Sequence, residues 1–287
     1  TIRIVKPPST AATLNFVANA AQTARLWKDI DSTYADKLLK QAKLSYEAAK
    51  ANPELYAPLD QAIGGGAYGD TNVKDDFYWA ACELYATTKD SSYLTDMKGY
   101  ADCFKVTTNL EGGENNGSFS SFNWGNTAGL GSLTMYLNRD ILDAADAKTL
   151  SDSIKKAADT YIAKEEEQGY GIPYQGATFT DAINLGYDDS GKLIEVNGYE
   201  WGSNSFVVNN AIVMAYAYDI TKDAKYIDGV STAMDYVFGR NAMDFSYVTG
   251  YGTYHCENPH HRFWSHELDS TFPYAPSVVF AVVRIRM

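Results

Sequence analysis

The chain has 287 residues, with 36 acidic against 24 basic side chains, a net charge of −12 and a pI near 4.7. No basic run occurs, which argues against nucleic acid or an anionic membrane as partner, and no apolar run is long enough to span a bilayer. Three scattered cysteines, Cys82, Cys103 and Cys256, make neither a disulfide framework nor a CxxC metal pair.

Apolar periodicity near 3.6 predicts an all-helical chain, with helices over 10–29, 32–51, 73–89, 91–104, 126–138, 146–167, 203–220 and 223–239. The second places Leu38, Leu39, Ala42 and Tyr46 on one face and lysines on the other, the pattern of an outer helix. The seventh, "SFVVNNAIVMAYAY", is apolar nearly all round and reads as an inner helix. An Asp-x-x-Tyr unit recurs in "DSTYADKLL", "DSSYLTDMK" and "DAKYIDGVS", each time after a longer apolar helix. Its Asp is suited to cap the next helix, and its Tyr is expected on that helix's buried face. The chain therefore reads as helical hairpins in which an inner helix, a tight turn and an outer helix alternate. Long Gly-, Asn- and aromatic-rich segments join the hairpins and would all emerge at one end, where a ligand site is expected. The length fits one domain over 1–287. No secretory leader is visible and the first residue is Thr1, so the start reads as processed or cut from something longer.

Four stretches carry chemistry. In "YGDTNVKDDFYW", residues 68–79, the acidic residues at a helix start fit either capping and dipole pairing or a Ca²⁺ site of hard oxygen donors. Thr71, Asn72, Asp75 and Asp76 are the candidate ligands. A terpene-cyclase motif is rejected, because the fourth position after Asp75 is Trp79. "SFNWGN" offers Phe122 and Trp124, and "NGYEWGSNSF" offers Tyr199, Trp201 and Phe206 around Glu200. Large rings in polar, Gly-flanked loops suit stacking on sugar rings, beside the plainer reading as core. The fourth stretch, "YHCENPHHRFWSH", holds every histidine of the chain: His255, His260, His261 and His266. It fits a structural cluster, a zinc site through His255 and Cys256, or a substrate grip by His and Arg donors. Four nearby imidazoles would also make binding pH-sensitive.

"SYVTGYGTYHCENPHHR" resembles the histidine signature of glycoside hydrolase family 9, the cellulases, in Ser246, Val248, Thr249, Gly252, Pro259, His260 and Arg262; Tyr254 departs from it. "STAATLNFVANAA" resembles the family's inner helix, "GDTNVKDDFYWAACELYATTKDSSYL" its segment at the calcium-binding loop, and "YEWGSNSFVVNNA" its cleft-lining Trp segment. The resemblance runs to about residue 277. It implies an (α/α)6 barrel, here incomplete, and inverting hydrolysis of β-1,4-glucan by an Asp base and a Glu acid. It places His260 and Arg262 near the cleaved sugar. It makes Tyr68, Phe122, Trp124, Tyr199, Glu200, Trp201, Phe206 and His261 substrate contacts for a β-glucan or cellooligosaccharide, and implies a secreted protein. No "DAGD"-type motif occurs, and the family's "NE" segment and Gly-rich continuation after "YAPS" are replaced by "VVFAVVRIRM". Glu200, Asp75, Asp76, Glu257 and Asp269 are then the substitutes to test, and a non-catalytic glucan-binding fragment is the alternative. An incomplete barrel exposes inner-helix faces, which is compatible with self-association.

Overall fold

The computed structural model describes residues 6–58, 69–110, 120–180, 186–199, 202–259 and 261–282. Among these residues are eight α-helices: α1 (Thr10–Trp27), α2 (Ser32–Ala51), α3 (Lys74–Thr88), α4 (Ser91–Lys98), α5 (Ala128–Leu137), α6 (Ala144–Glu167), α7 (Ser203–Thr221) and α8 (Ala224–Phe238). Two short strands, β1 (Ala177–Thr180) and β2 (Glu195–Gly198), pair antiparallel with Ala177 opposite Gly198. Every predicted helix is present. The fourth is shorter than expected, because Gly99 ends it by donating to the Asp96 and Met97 carbonyls. The chain then descends through turns to Phe104, which sits at φ 56°.

The repeated aspartates cap as their position demands. Asp31 accepts from the Tyr34 N–H, Asp90 from Ser92 and Asp223 from Lys225. Their tyrosines divide. Tyr93 and Tyr226 are buried, but Tyr34 is 43% exposed, edge-on to Trp27 with ring centres 5.7 Å apart. The buried stripe of α2 is Ala35, Ala42, Tyr46 and Ala49, and Tyr34 lies one residue, about 100° of helix, away from it.

The chain divides into two compact units. One comprises Thr1–Val106 and Trp124–Ser153, the other Thr107–Asn123 and Ile154–Met287. In the first, α1 packs on α2 and α3, and α3 packs on α4 and α5. Side-chain rungs fix the helix directions. Asn15 Nδ2 donates to Asp76 Oδ1 at 2.8 Å, Gln22 Nε2 to Glu83 Oε1 at 3.0 Å, and Arg25 Nη1 to Thr87 Oγ1 at 2.8 Å. Early residues meet early and late meet late, so α1 and α3 are parallel. Thr127 before α5 meets Asp75, Ser132 meets Tyr78, and Thr134 meets Glu83, so α5 is parallel as well. The long segments before α3 and α5 thus enter at one end of this unit, and the short turns lie at the other. Every residue of α3 from Asp75 to Ala86 is buried.

In the second unit α7 and α8 pack together across a tight turn, where Lys222 adopts φ 58° and donates back to the Tyr218 carbonyl. The segment after α8 returns to the start of α7, where Asn204 Nδ2 donates to the Ala281 carbonyl at 3.0 Å. Cys82 and Cys256 are buried and Cys103 half-buried, all as free thiols. No helix among the described residues is long and apolar enough to cross a membrane.

Candidate functional site

The acidic start of α3 buries two adjacent carboxyl groups. Val73 at the cap position makes no side-chain cap bond, and the first turn carries two acidic side chains, Asp75 and Asp76. Both are only 2% exposed. Asp75 Oδ2 accepts from the Thr127 N–H at 2.7 Å, and Asp76 Oδ1 from Asn15 Nδ2 at 2.8 Å and Thr127 Oγ1 at 3.3 Å. The second oxygens, Asp75 Oδ1 and Asp76 Oδ2, are buried with no hydrogen-bond partner among the described residues. Burial pushes the Asp75 carboxyl up to about 6, against the hydrogen bonds from Thr127. Burial, then the adjacent Asp75 charge, pushes Asp76 up to about 8. Thr71 and Asn72 are exposed just upstream, where the Asn72 N–H donates to Asp70 Oδ1. Asn15 and Thr127, which hold the carboxylates here, come from other helices and were invisible in the local motif. Among the described residues no group of three His, Cys, Asp or Glu is arranged to hold a metal.

The aromatic candidates divide. Trp124 is 46% exposed in the turn before α5. Phe122 is half-buried, and its carbonyl accepts from Ser120 Oγ at 2.6 Å and Asn209 Nδ2 at 2.8 Å. Tyr199 is half-buried, its ring 5.8 Å from Tyr174 and its hydroxyl donating to Gln168 Oε1 at 3.4 Å. Phe206 corrects the sequence expectation. Its position three residues past the start of α7 turns it inward, where it is fully buried and edge-on to Tyr174 at 5.5 Å, with no face open to a sugar. Tyr68, Glu200, Trp201 and His260 lie outside the described residues.

The histidine segment is a knotted loop. Asn241 closes its entry, donating to the Tyr236 and Phe245 carbonyls and accepting from Met243. Ser246 pairs through its backbone with Tyr254 and Cys256. Thr249 Oγ1 donates to the Pro276 carbonyl at 2.6 Å and accepts from the Val279 N–H at 2.8 Å. Gly252 takes φ 88°, a conformation that side chains rarely adopt. Four of the signature positions, Ser246, Val248, Thr249 and Gly252, are thereby explained as scaffold, the first three buried. The histidines ride on it. His255 Nδ1 meets the Gly252 carbonyl at 2.8 Å, and His266 Nδ1 meets the Phe272 carbonyl at 2.7 Å while its ring stacks on Tyr274 at 3.8 Å. His261 Nδ1 accepts from the Phe263 and Trp264 N–H groups, and its ring stacks on Trp264 at 4.2 Å. Arg262 is exposed beside it, and its guanidinium has no partner among the described residues. Of the substitute carboxylates, Glu257 is exposed and Asp269 is locked in a turn with Thr271, which holds its pKa below the usual value.

Residues 2–279 match the family described as Glycosyl hydrolase family 9. The chain is 43% identical over 287 residues to a cellulose 1,4-beta-cellobiosidase of Acetivibrio thermocellus, spanning 97% of this chain and 30% of that protein. It is 38% identical over 275 residues to endoglucanase C of Cellulomonas fimi, spanning 96% of this chain and 22% of that one. The solved structure of a Bacteroides ovatus GH9 protein superposes with a TM-score of 0.68 at 30% identity, over 88% of this chain and 43% of its own. The fold is thus all-α, of the (α/α)6 class, and the chain spans less than half the length of these relatives.

Proposed function

The chain belongs to glycosyl hydrolase family 9, and from that membership we propose that it forms the glucan-gripping part of a cellulase-type hydrolase that cleaves β-1,4-glucosidic bonds with inversion. The observation that carries this reading is Arg262. Its guanidinium is exposed and without a partner among the described residues, beside an imidazole fixed in place by stacking on Trp264. A planar donor fork held at a loop surface suits the paired hydroxyls of a sugar. The half-buried rings of Phe122 and Tyr199, in the same unit as Arg262, add platforms, and Trp124, His260, Trp201, Tyr68 and Glu200 belong to the proposal by their family positions. The names of the relatives, a cellulose 1,4-beta-cellobiosidase and an endoglucanase, point to cellulose-like β-glucan as the substrate, and family membership is the ground for proposing an extracellular setting.

The carboxylates favour a second reading, binding without turnover by this chain alone. Inversion needs two carboxyl groups far enough apart to admit a water and a sugar bond. Asp75 and Asp76 are adjacent, buried and share Thr127 as donor, and Asp269 is tied to its own turn. Reducing-sugar release from carboxymethyl cellulose, beside calorimetric titration with cellohexaose, separates the two. Binding with release supports the hydrolase, binding without release supports the binding fragment, and no binding removes both.

The acid pair is assigned to Ca²⁺. Two buried carboxylate oxygens without partners among the described residues are the hard donors that this ion takes. Asp75 and Asp76 would hold it, with Thr71 or Asn72 and a backbone carbonyl completing the shell. The ion would supply charge compensation at the start of α3, and so rigidity rather than chemistry.

A further inference from the structure

Two adjacent asparagines stand inside the apolar run "FVVNNAIVM" of α7. Leucine at either position would extend the apolar surface of this helix, so the amides need a reason. Asn210 is fully buried. Its Nδ2 donates to the Pro173 carbonyl at 2.6 Å, and its Oδ1 accepts from the Ser121 N–H at 2.8 Å. Asn209, half-buried, donates through Nδ2 to the Phe122 carbonyl at 2.8 Å. One helical turn therefore takes a backbone donor and a backbone acceptor from consecutive residues of the 120–123 turn. Ser120 closes that turn from within, donating to the same Phe122 carbonyl at 2.6 Å. None of these bonds uses the Phe122 ring. Both polar ends of Asn210 must be satisfied, since a buried amide left half-paired keeps its desolvation cost without a compensating bond, and this makes it the anchor. Asn209 is the adjustable contact.

We infer that Asn209, anchored by Asn210, is a positioning residue that sets the Phe122 ring for ligand without touching the ligand itself. The inference rests on the proposal above that Phe122 contacts a β-glucan. It is a statement about placement: the helix dictates where the carbonyl sits, and the carbonyl dictates where the ring begins.

The test is calorimetric titration of the 287-residue chain with cellohexaose, on wild type, Asn209→Leu, Asn209→Gln, Phe122→Ala and the Asn209→Leu/Phe122→Ala double variant. Asn209→Leu is expected to weaken binding about tenfold, the size of one lost hydrogen bond, with the melting temperature within about 3 °C of wild type. Asn209→Gln, which keeps an amide donor, recovers most of that loss. The double variant binds no worse than Phe122→Ala alone, because a misplaced ring and an absent ring fail in the same way. The inference is overturned, and the glucan reading kept, if Asn209→Leu binds like wild type while Phe122→Ala does not. It is also overturned if the two losses add, or if Asn209→Gln gives no recovery. If Phe122→Ala binds like wild type, the ring is no contact and the inference falls with that part of the glucan reading.

Discussion

The start of α3 and the loop at 254–266 both gather ionisable side chains, and they treat them in opposite ways. At α3 two carboxylates are taken out of water, tied by Thr127 and Asn15 from neighbouring helices, and each left with one oxygen unpartnered among the described residues. In the loop the imidazoles stay near the surface, and each described ring commits its Nδ1 to backbone. Desolvation raises the carboxyl groups to about 6 and about 8. The acid pair therefore needs something more, a proton or a cation. The sequence alone points to the histidine cluster as a pH-sensitive centre, and the structure adds the acid pair as another.

The largest expected effect comes from that pair. Because the native carboxyl groups titrate above the ordinary aspartate value, their contribution to stability is complete below about pH 4 and is lost as the pH rises to about 8. Without metal, the chain should lose up to about 9 kcal/mol across this window. Calcium should restore it at pH 8, where the binding competes against fewer protons. Thermal melts at pH 5 and pH 8, each with EDTA and with CaCl2, measure this. Asp75→Asn/Asp76→Asn should flatten the pH dependence and abolish the calcium response. A wild-type melt at pH 8 indifferent to both additives would leave the pair as a helix-start feature only.

Next comes the buried charge in the middle of the same helix. Glu83 is fully buried, bonded to Arg25 at 2.8 Å, Gln22 at 3.0 Å and Thr134 at 2.6 Å. It differs from Asp75 and Asp76 in being fully satisfied, so its loss exposes what the pairing is worth. Glu83→Ala strands the partly exposed Arg25, and removing one partner of such a pair costs about 3–5 kcal/mol. Lys148→Ala, breaking an exposed pair with Asp152 on α6, should cost under about 1 kcal/mol. Urea melts of the two variants give the contrast, and equal shifts would mean that the Glu83 network is relaxed by water.

In the loop the corresponding test is Thr249→Val. The hydroxyl both donates to the Pro276 carbonyl and accepts from the Val279 N–H, and a methyl in its place removes both bonds at this part-buried position. About 0.5–1.5 kcal/mol is expected, with helical circular dichroism unchanged and the loss seen as faster proteolysis of the 246–282 segment. A protease pattern identical to wild type would show that the knot is held by its backbone pairs alone.

How much of this was legible follows the range of the interactions. Helices and their Asp caps depend on neighbours within four residues, and all eight were readable. The shortened α4 turns on one glycine, Gly99, inside an otherwise periodic run. Tyr34 was misplaced because the motif fixes its distance from the cap and not the face that α1 covers. The partners of Asp75 and Asp76 come from helices tens of residues away, and only a buried polar residue in an apolar run hints at them. Glu83 in "WAACELY" and Asn210 in "VVNNAIV", polar residues inside apolar runs, carry the same kind of signal for their own long-range partners. Phe206 looked like Trp201 in sequence, yet the start of α7 falls between them and turns the ring into the core.

The smallest effect on stability should accompany a clear effect on binding, at Arg262. Its guanidinium has no partner among the described residues and its side chain is exposed, so Arg262→Ala should move the folding free energy by less than about 0.5 kcal/mol. If the fork grips sugar hydroxyls, the same change should weaken cellohexaose binding about tenfold, the usual size of a lost charged hydrogen bond. Arg262→Lys tests the shape of the donor. Lysine keeps the charge but presents a point in place of a planar fork, so it should recover less than half of the lost binding free energy. Full recovery by lysine would mean that only charge matters there, and the loop would then be read as an electrostatic feature of an otherwise acidic chain. Unchanged binding in Arg262→Ala would remove the arginine from the glucan site while leaving the knotted loop beneath it as described.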